Sequence, residues 1–380
     1  MLLKRVHAKK IRDSRGDPTI EVSLNGVNAS SPSGKSKGVH ETPSFHKSLS
    51  WNIKFLNRIK FDIPINSFGD LKKVESFIKK KAKLKDPKQF GANALFALES
   101  AILKALAKEK GLELFQLLNN KPNKFPIPLG NVVEGGLHAH KKDHPTFQEF
   151  LLIPQTNSPK KNFKLLQEAH SKLKTILKSN KKTDEGAWEV SLDNEQVFEK
   201  LSKFKNLGIG TDIAGSAFYK NSEYFYKNKT LDRTTQIHYI NSLIKDYNIL
   251  YCEDPLDEED FEGFAKIRRD KNHLVVGDDL TATQISRLKK AIKTKAINAM
   301  IIKPNQNGSL IELAEIFKLC KKHNIKTILS HRSGETLDDA LADLAVGFGA
   351  DYIKAGVATK WREAKLKRLR KIEHLIKGQH

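Results

Sequence analysis

In the second half of the chain, short apolar runs keep ending on residues that could do chemistry. Leu207-Gly208-Ile209-Gly210-Thr211 stops at Asp212, Ile249-Leu250-Tyr251-Cys252 at Glu253, and Leu274-Val275-Val276-Gly277 at Asp278. Ala299-Met300-Ile301-Ile302 stops at Lys303, Thr327-Ile328-Leu329-Ser330 at His331 and Arg332, and Asp351-Tyr352-Ile353 at Lys354. Three carboxylates without a thiolate make a hard oxygen site, which suits Mg²⁺ in an octahedral shell completed by water. A lysine held near a divalent cation and a second lysine has its neutral form favoured, so Lys303, with Lys354 nearby, reads as a general base. Arg332 followed by Ser333 offers donors to a phosphate or a carboxylate. Metal, base and anion clamp together describe proton abstraction beside a carboxylate, with the cation stabilising the enediolate.

The elements that must carry these residues follow from their intervals. Glu253 to Asp278 and Asp278 to Lys303 are each 25 residues, and Lys303 to His331 is 28. Each interval holds an amphipathic helical segment, as in residues 309–317, where Leu310, Leu313, Ile316 and Phe317 keep helical spacing. Strand, helix, strand is the βα unit of a parallel sheet, and a run of such units closes into a barrel whose strand C-termini carry the active site. The expected fold is α/β: a C-terminal (β/α)8-type barrel over residues 125–380, with a smaller N-terminal α+β domain over residues 1–124. Phe125-Pro126-Ile127-Pro128 marks the boundary.

In the first domain, residues 6–11 and 19–24 are strand-like, and Asn25-Gly26 supplies a hairpin turn. Residues 91–111 read as a helix that Gly111 terminates. Pro32-Ser33-Gly34-Lys35-Ser36-Lys37-Gly38 is a small-residue loop that suits an anion, although it lacks P-loop spacing. Further on, His138 and His140 have no third metal ligand near them in sequence. Gln148 and Glu149 open another apolar run, a helix spans about 161–177, and Thr183-Asp184-Glu185-Gly186 reads as an acidic turn.

With 380 residues and 39% hydrophobic content, the chain can bury a core beyond that of one barrel. Its two cysteines, Cys252 and Cys320, both in apolar runs, exclude a disulfide framework and point to a reducing cytoplasm. No secretory segment and no apolar run of about 18 residues is present, so a soluble protein is expected. A net charge of +23 makes weak polyanion binding at low salt an expectation. The lysines are spread over nearly every helical segment and form no nucleic-acid-binding module.

At these residues the sequence resembles the enolase family, the phosphopyruvate hydratases, along nearly its whole length. The matching segments are Asp13-Ser14-Arg15-Gly16-Asp17-Pro18-Thr19, Gly91-Ala92-Asn93-Ala94, Gly135-Gly136-Leu137-His138-Ala139, Gln148-Glu149-Phe150 and Asp184-Glu185-Gly186. The later half adds Glu253-Asp254-Pro255, Gly277-Asp278-Asp279-Leu280-Thr281, Lys303-Pro304-Asn305-Gln306 and Ser330-His331-Arg332-Ser333-Gly334-Glu335-Thr336. The resemblance implies that Asp212, Glu253 and Asp278 hold one Mg²⁺, and that Lys303 takes the C2 proton of 2-phosphoglycerate. It implies that Lys354 and the metals neutralise the substrate carboxylate, and that Glu185 with Glu149 helps the C3 hydroxide leave. Arg332 and Ser333 would bind phosphate, His138 and His331 would line the closed site beside Gln148, and Ser36 would ligate a second Mg²⁺ as its loop closes. A small anionic substrate (2-phosphoglycerate or phosphoenolpyruvate) and a homodimer or larger homo-oligomer are implied in the same way.

The sequence departs from the family pattern on its loops. Lys35 and Lys37 flank Ser36 where alanine and threonine are usual, and the Arg-Asp-Gly-Asp element after Glu41 is missing. Two residues are added between His138 and Glu149, Ala187 replaces a glycine, Ala217 replaces a glutamate, and the segment after Lys354 is altered and short. Two alternatives therefore stand beside an enolase: an enolase-like lyase for another 2-hydroxy or phosphorylated acid, and a non-catalytic basic binding protein on the same scaffold.

Overall fold

The computed structural model describes every residue except 36–37, 141–142, 269–272 and 379–380. The expectation for Ser36 and Lys37 therefore lies outside the described residues. Strands His7–Arg12, Pro18–Leu24 and Val27–Ser30 form an antiparallel sheet. Asn25 at φ 49° and Gly26 at φ 74° make the turn between the last two, with the two positive φ values of a tight hairpin. The helix Ala92–Glu109 packs against this sheet with fifteen of its eighteen residues buried.

Eight strands close the barrel: β1 Ile127–Glu134, β2 Glu149–Ile153, β3 Gly208–Asp212, β4 Ile249–Glu253, β5 Leu274–Gly277, β6 Ala299–Ile302, β7 Lys326–Ser330 and β8 Tyr352–Lys354. The pairing runs β1-β2-β3-β4-β5-β6-β7-β8, and β8 returns to β1. One strand departs from the parallel sheet expected of βα units, since β2 is antiparallel to both β1 and β3. The reversal brings Glu149, the first residue of β2, opposite Glu134 and Asp212, the last residues of β1 and β3.

Alternation along each strand decides which side chains enter the barrel. Leu129, Leu151, Tyr251, Val276, Ile301 and Ile328 form one buried cluster inside it. Cys252, Val275, Met300 and Ile302 belong to the larger cluster that the surrounding helices cover. Glu253 lies two residues beyond Tyr251 and Lys303 two beyond Ile301, so both share the inward side and continue the core into the mouth. Tyr251 supports this directly, its hydroxyl donating to Glu253 Oε2 at 2.6 Å.

Helices fill the outside where the sequence places them. Pro159–Ile176 begins at Ser158, whose hydroxyl accepts from Lys161 N, and Leu310–Lys322 begins at Ser309, which accepts from Glu312 N. Both are N-caps of the usual kind. Among the described residues no helix is long and apolar enough to cross a membrane.

The long N-terminal helix meets the barrel at its own first turn. Asn305 Nδ2 donates to Asn93 Oδ1 at 3.0 Å, and both asparagines donate to the Pro32 carbonyl. Gly308, at φ +93°, lies so close to Ala92 that a Cβ would stand 2.7 Å from Ala92 Cα. Gly308→Ala therefore combines a strained backbone with a backbone overlap. We expect it to lower stability by about 2–4 kcal/mol, measured as a shifted urea midpoint at unchanged m-value.

Candidate active site

The mouth encloses a cavity of about 240 Å³ lined by residues from both parts of the chain, among them Glu41, His138, Glu185, Asp278, Lys303 and Lys354. Lys354 Nζ lies 3.1 Å from Glu149 Oε2, 3.0 Å from Asp212 Oδ2 and 2.8 Å from Glu253 Oε2. Lys303 pairs with Asp278 Oδ2. Asp254, the second acid of its segment, accepts the N–H groups of Asp278 and Asp279 at 3.0 and 2.7 Å, which fixes the loop that carries Asp278.

The electrostatics follow from burial and from who pairs with whom. Burial pushes Glu149 up to about 8 despite Lys354 beside it. Glu253 is raised well above the carboxylate range by burial and by Asp212. Asp279 is pushed up to about 7 by burial and Asp278. Burial acts the same way on Glu185, yet Arg362, His331 and His138 overcome it and hold this carboxyl low. For His331, burial wins and keeps the imidazole neutral.

The expectation that the neutral form of Lys303 is favoured is conditional on a cation beside it; the protein groups alone act the other way. Burial would lower this lysine, but the Asp278 carboxylate dominates and raises it above the ordinary lysine range. A lysine can serve as base here only when another cation shares Asp278.

Metal capacity can be read from where the acidic and histidine side chains converge. Among the described residues, two groups place three ligand atoms within 4.8 Å of one another: Asp254, Asp278 and Asp279, and Glu134, His138 and Glu185. Asp212 and Glu253 are bridged by the Lys354 ammonium instead. Two buried oxygens on the expected triad nevertheless have no hydrogen-bond partner, Glu253 Oε1 and Asp278 Oδ1. Orphaned carboxylate oxygens of this kind suit a hard cation. His138 does have further ligands nearby: Glu134, four residues before it and overlooked in the sequence, and Glu185, which sequence distance concealed. His140 turns to Glu189 instead, with Nδ1 2.5 Å from Oε1.

The anion side is built by loops from both halves. Arg332 is buried, with Nη2 2.9 and 3.0 Å from the two oxygens of Glu41. Ser333 Oγ accepts the Lys35 N–H at 2.7 Å, and the backbones of Ser33 and Gly334 pair in both directions. Ser14 and Glu335 are likewise joined, Glu335 N to Ser14 Oγ at 3.0 Å. Gln148 Nε2 reaches Asp212 Oδ2 at 3.5 Å, and His331 Nε2 lies 3.4 Å from Glu185 Oε2.

The structure thus gathers Glu149, Glu185, Asp212, Glu253, Asp278, Lys303, His331, Arg332, Ser333, Lys354, His138 and Gln148 at one mouth. Glu41, Glu134 and Arg362 were not singled out from sequence. Glu134 alone had a readable signal, as the polar end of the apolar run that opens at Ile127.

A capped eight-stranded barrel with charged residues at its strand ends is of the α/β-barrel class that carries its sites there. Residues 122–379 match the family described as enolase, C-terminal TIM barrel domain, and residues 3–118 that described as enolase, N-terminal domain. An enolase of Methanocorpusculum labreanum is 36% identical over 390 residues, covering 96% of this chain and 97% of the relative. Enolases of Natronomonas pharaonis and Archaeoglobus fulgidus are each 35% identical, covering 98% and 99% of this chain and 99% and 98% of the relatives. The chain belongs to the enolase family.

One titration in the cavity has a clear sign. Burial would lower His138, but the Glu134 carboxylate 3.6 Å from its Nδ1 overrides this and raises it to about 9. The folded value exceeds the unfolded one, near 6.5. The contribution to stability is therefore complete below about pH 6.5 and is lost as pH rises through about 9. In chelator-treated protein, urea midpoints between pH 6 and 10 should fall across this window, and Glu134→Gln should flatten the fall. An unchanged slope in that variant would assign the titration to another group.

Proposed function

We propose that the protein interconverts 2-phosphoglycerate and phosphoenolpyruvate, a Mg²⁺-dependent dehydration by a carbon–oxygen lyase. The observation that carries this reading is the arrangement around the cavity: a lysine on a carboxylate at one side, paired buried carboxyls at another, and a buried arginine with a serine at a third. In this reading Asp212, Glu253 and Asp278 hold the first ion and Ser36 the second. When bound, the ions supply positive charge that stabilises an enediolate at the substrate carboxylate.

The remaining steps belong to side chains of this chain. Once Asp278 is shared and no longer stabilises its ammonium, Lys303 releases a proton to solvent and, as the neutral amine, takes the proton at C2. Lys354 hydrogen-bonds Asp212 and Glu253, and the substrate carboxylate takes its third N–H in place of Glu149. Glu149, with its carboxyl pushed up to about 8, keeps its proton at neutral pH and can assist the departing C3 hydroxide beside Glu185. Arg332 exchanges Glu41 for the phosphate, and Ser333 adds a donor. His138, Gln148 and His331 line the closed space. Val39 and Leu137 stand at its rim, 82% and 59% exposed, as apolar surface that loop closure over a substrate would cover.

Lys303→Ala should lower kcat by on the order of 10²–10⁴-fold, the usual worth of a general base, without loss of fold or of Mg²⁺ binding. Chelation should abolish turnover, and readdition of Mg²⁺ should restore it. The measurement is ultraviolet absorbance of the enol product formed from 2-phosphoglycerate. A folded, Mg²⁺-binding protein without turnover would instead favour another 2-hydroxy acid.

A further inference from the structure

We propose that Arg362 is a positioning residue that locks the Glu185 loop and the Arg332-Ser333 turn into one arrangement, an inference that rests on the function proposed above. Arg362 lies on the C-terminal helix Lys360–Lys377 and its side chain is fully buried. Nη2 lies 3.1 Å from Glu185 Oε1 and donates to the carbonyls of Ser333 at 3.0 Å and Arg332 at 3.4 Å. Nη1 reaches the Asp184 carbonyl at 3.5 Å. One planar guanidinium therefore ties together two loops that approach the cavity from opposite ends of the barrel sequence. Only its fixed fork of donors can serve both a carboxylate and a row of carbonyls.

Room for the side chain is built in. Gly356, at φ +69°, lies against the Arg362 stem, and a Cβ there would overlap Cδ. Glu185, Arg332 and Ser333 line the cavity while Arg362 stands behind them, so it acts through them and touches no substrate. A second buried arginine of the same helix offers the contrast. Arg368 pairs with Asp343 and Glu113, neither of which lines the cavity, and so holds the helix in place without reaching the site.

Removing the Arg362 guanidinium should loosen both loops. Glu185 is placed for the leaving group and should be read in kcat, whereas the Arg332-Ser333 turn is placed for phosphate and should be read in affinity. The test uses the full chain as wild type, Arg362→Met, Arg362→Lys and Arg368→Met. It measures kcat and KM for 2-phosphoglycerate with Mg²⁺, Kd for inorganic phosphate by calorimetry, and melting temperature.

We expect Arg362→Met to lose at least tenfold in kcat and to raise the phosphate Kd at least threefold. Arg362→Lys should recover part of kcat, because an ammonium still faces Glu185, but not the phosphate affinity, because it cannot span both carbonyls. Arg368→Met should melt lower with wild-type kcat, KM and Kd. Wild-type kcat and Kd in folded Arg362→Met, or losses that merely track its unfolded fraction, would overturn the proposal.

If Arg362→Met does not fold, the lysine variant decides. Lost phosphate affinity with retained kcat supports the role, and wild-type values in both overturn it. A wild type without turnover removes the proposed function, and the phosphate titration then judges Arg362 alone: a raised Kd in the variants supports the lock, while an unchanged Kd or no wild-type binding overturns it.

Discussion

The Lys354 ammonium is the interaction on which the rest of the mouth depends. Three strands end or begin at it, with Asp212, Glu253 and Glu149 all within 3.1 Å and all buried. Taking a carboxylate out of water without a counter-charge costs several kcal/mol, and one ammonium cannot neutralise three. The excess appears in the carboxyls themselves, Glu149 and Glu253 both being pushed upward. A mouth built in this way accepts protons or cations readily. The same imbalance therefore explains how a carboxylic acid can stay protonated at neutral pH and why a divalent ion would be welcome.

Barrel geometry sets where this imbalance falls. Inward alternation carries Tyr251 and Ile301 into the core and sends Glu253 and Lys303, two residues on, into the mouth. The reversed β2 adds its first residue to the last residues of its neighbours. With β2 parallel, Glu149 would stand at the far end of the barrel and the site would lose that carboxyl. The N-terminal sheet and loops complete the wall, since Ser14, Ser33 and Lys35 bind the turn at Ser333-Glu335 through backbone and hydroxyl groups.

What the sequence made legible divides along physical lines. Strand ends were readable because buried runs of four or five residues terminate on a charge at intervals of one βα unit, and the capped helices at Ser158 and Ser309 announce themselves locally. The direction of β2 was not readable, because a period of two is the same in both directions. Nor were the partnerships of Glu41 with Arg332, or of Arg362 with Glu185, since these join residues 291 and 177 positions apart. The pairing of Lys303 with Asp278 was not readable for a related reason. Asp278 was assigned wholly to the metal, whereas the folded chain lets lysine and metal compete for one carboxylate.

Two of the departures from the family pattern gain a common explanation from the same structure. Lys35 replaces a small residue, yet its contact to Ser333 Oγ is made by the backbone N–H while its side chain is exposed. Ala187 replaces a glycine, and what it contributes is a carbonyl that accepts from Thr183 N in the turn carrying Glu185. Ala217 is different: it replaces a glutamate and lines the cavity, so although its backbone N–H goes to the Ala214 carbonyl, a side-chain carboxylate is lost at the mouth. At Lys35 and Ala187 the fold uses main chain, which every residue except proline supplies equally. The side chains that meet in the cavity are under a different constraint, because a carboxylate or an ammonium has no main-chain substitute. Variation can therefore accumulate on the loops of this chain while the strand-end residues keep their chemical types.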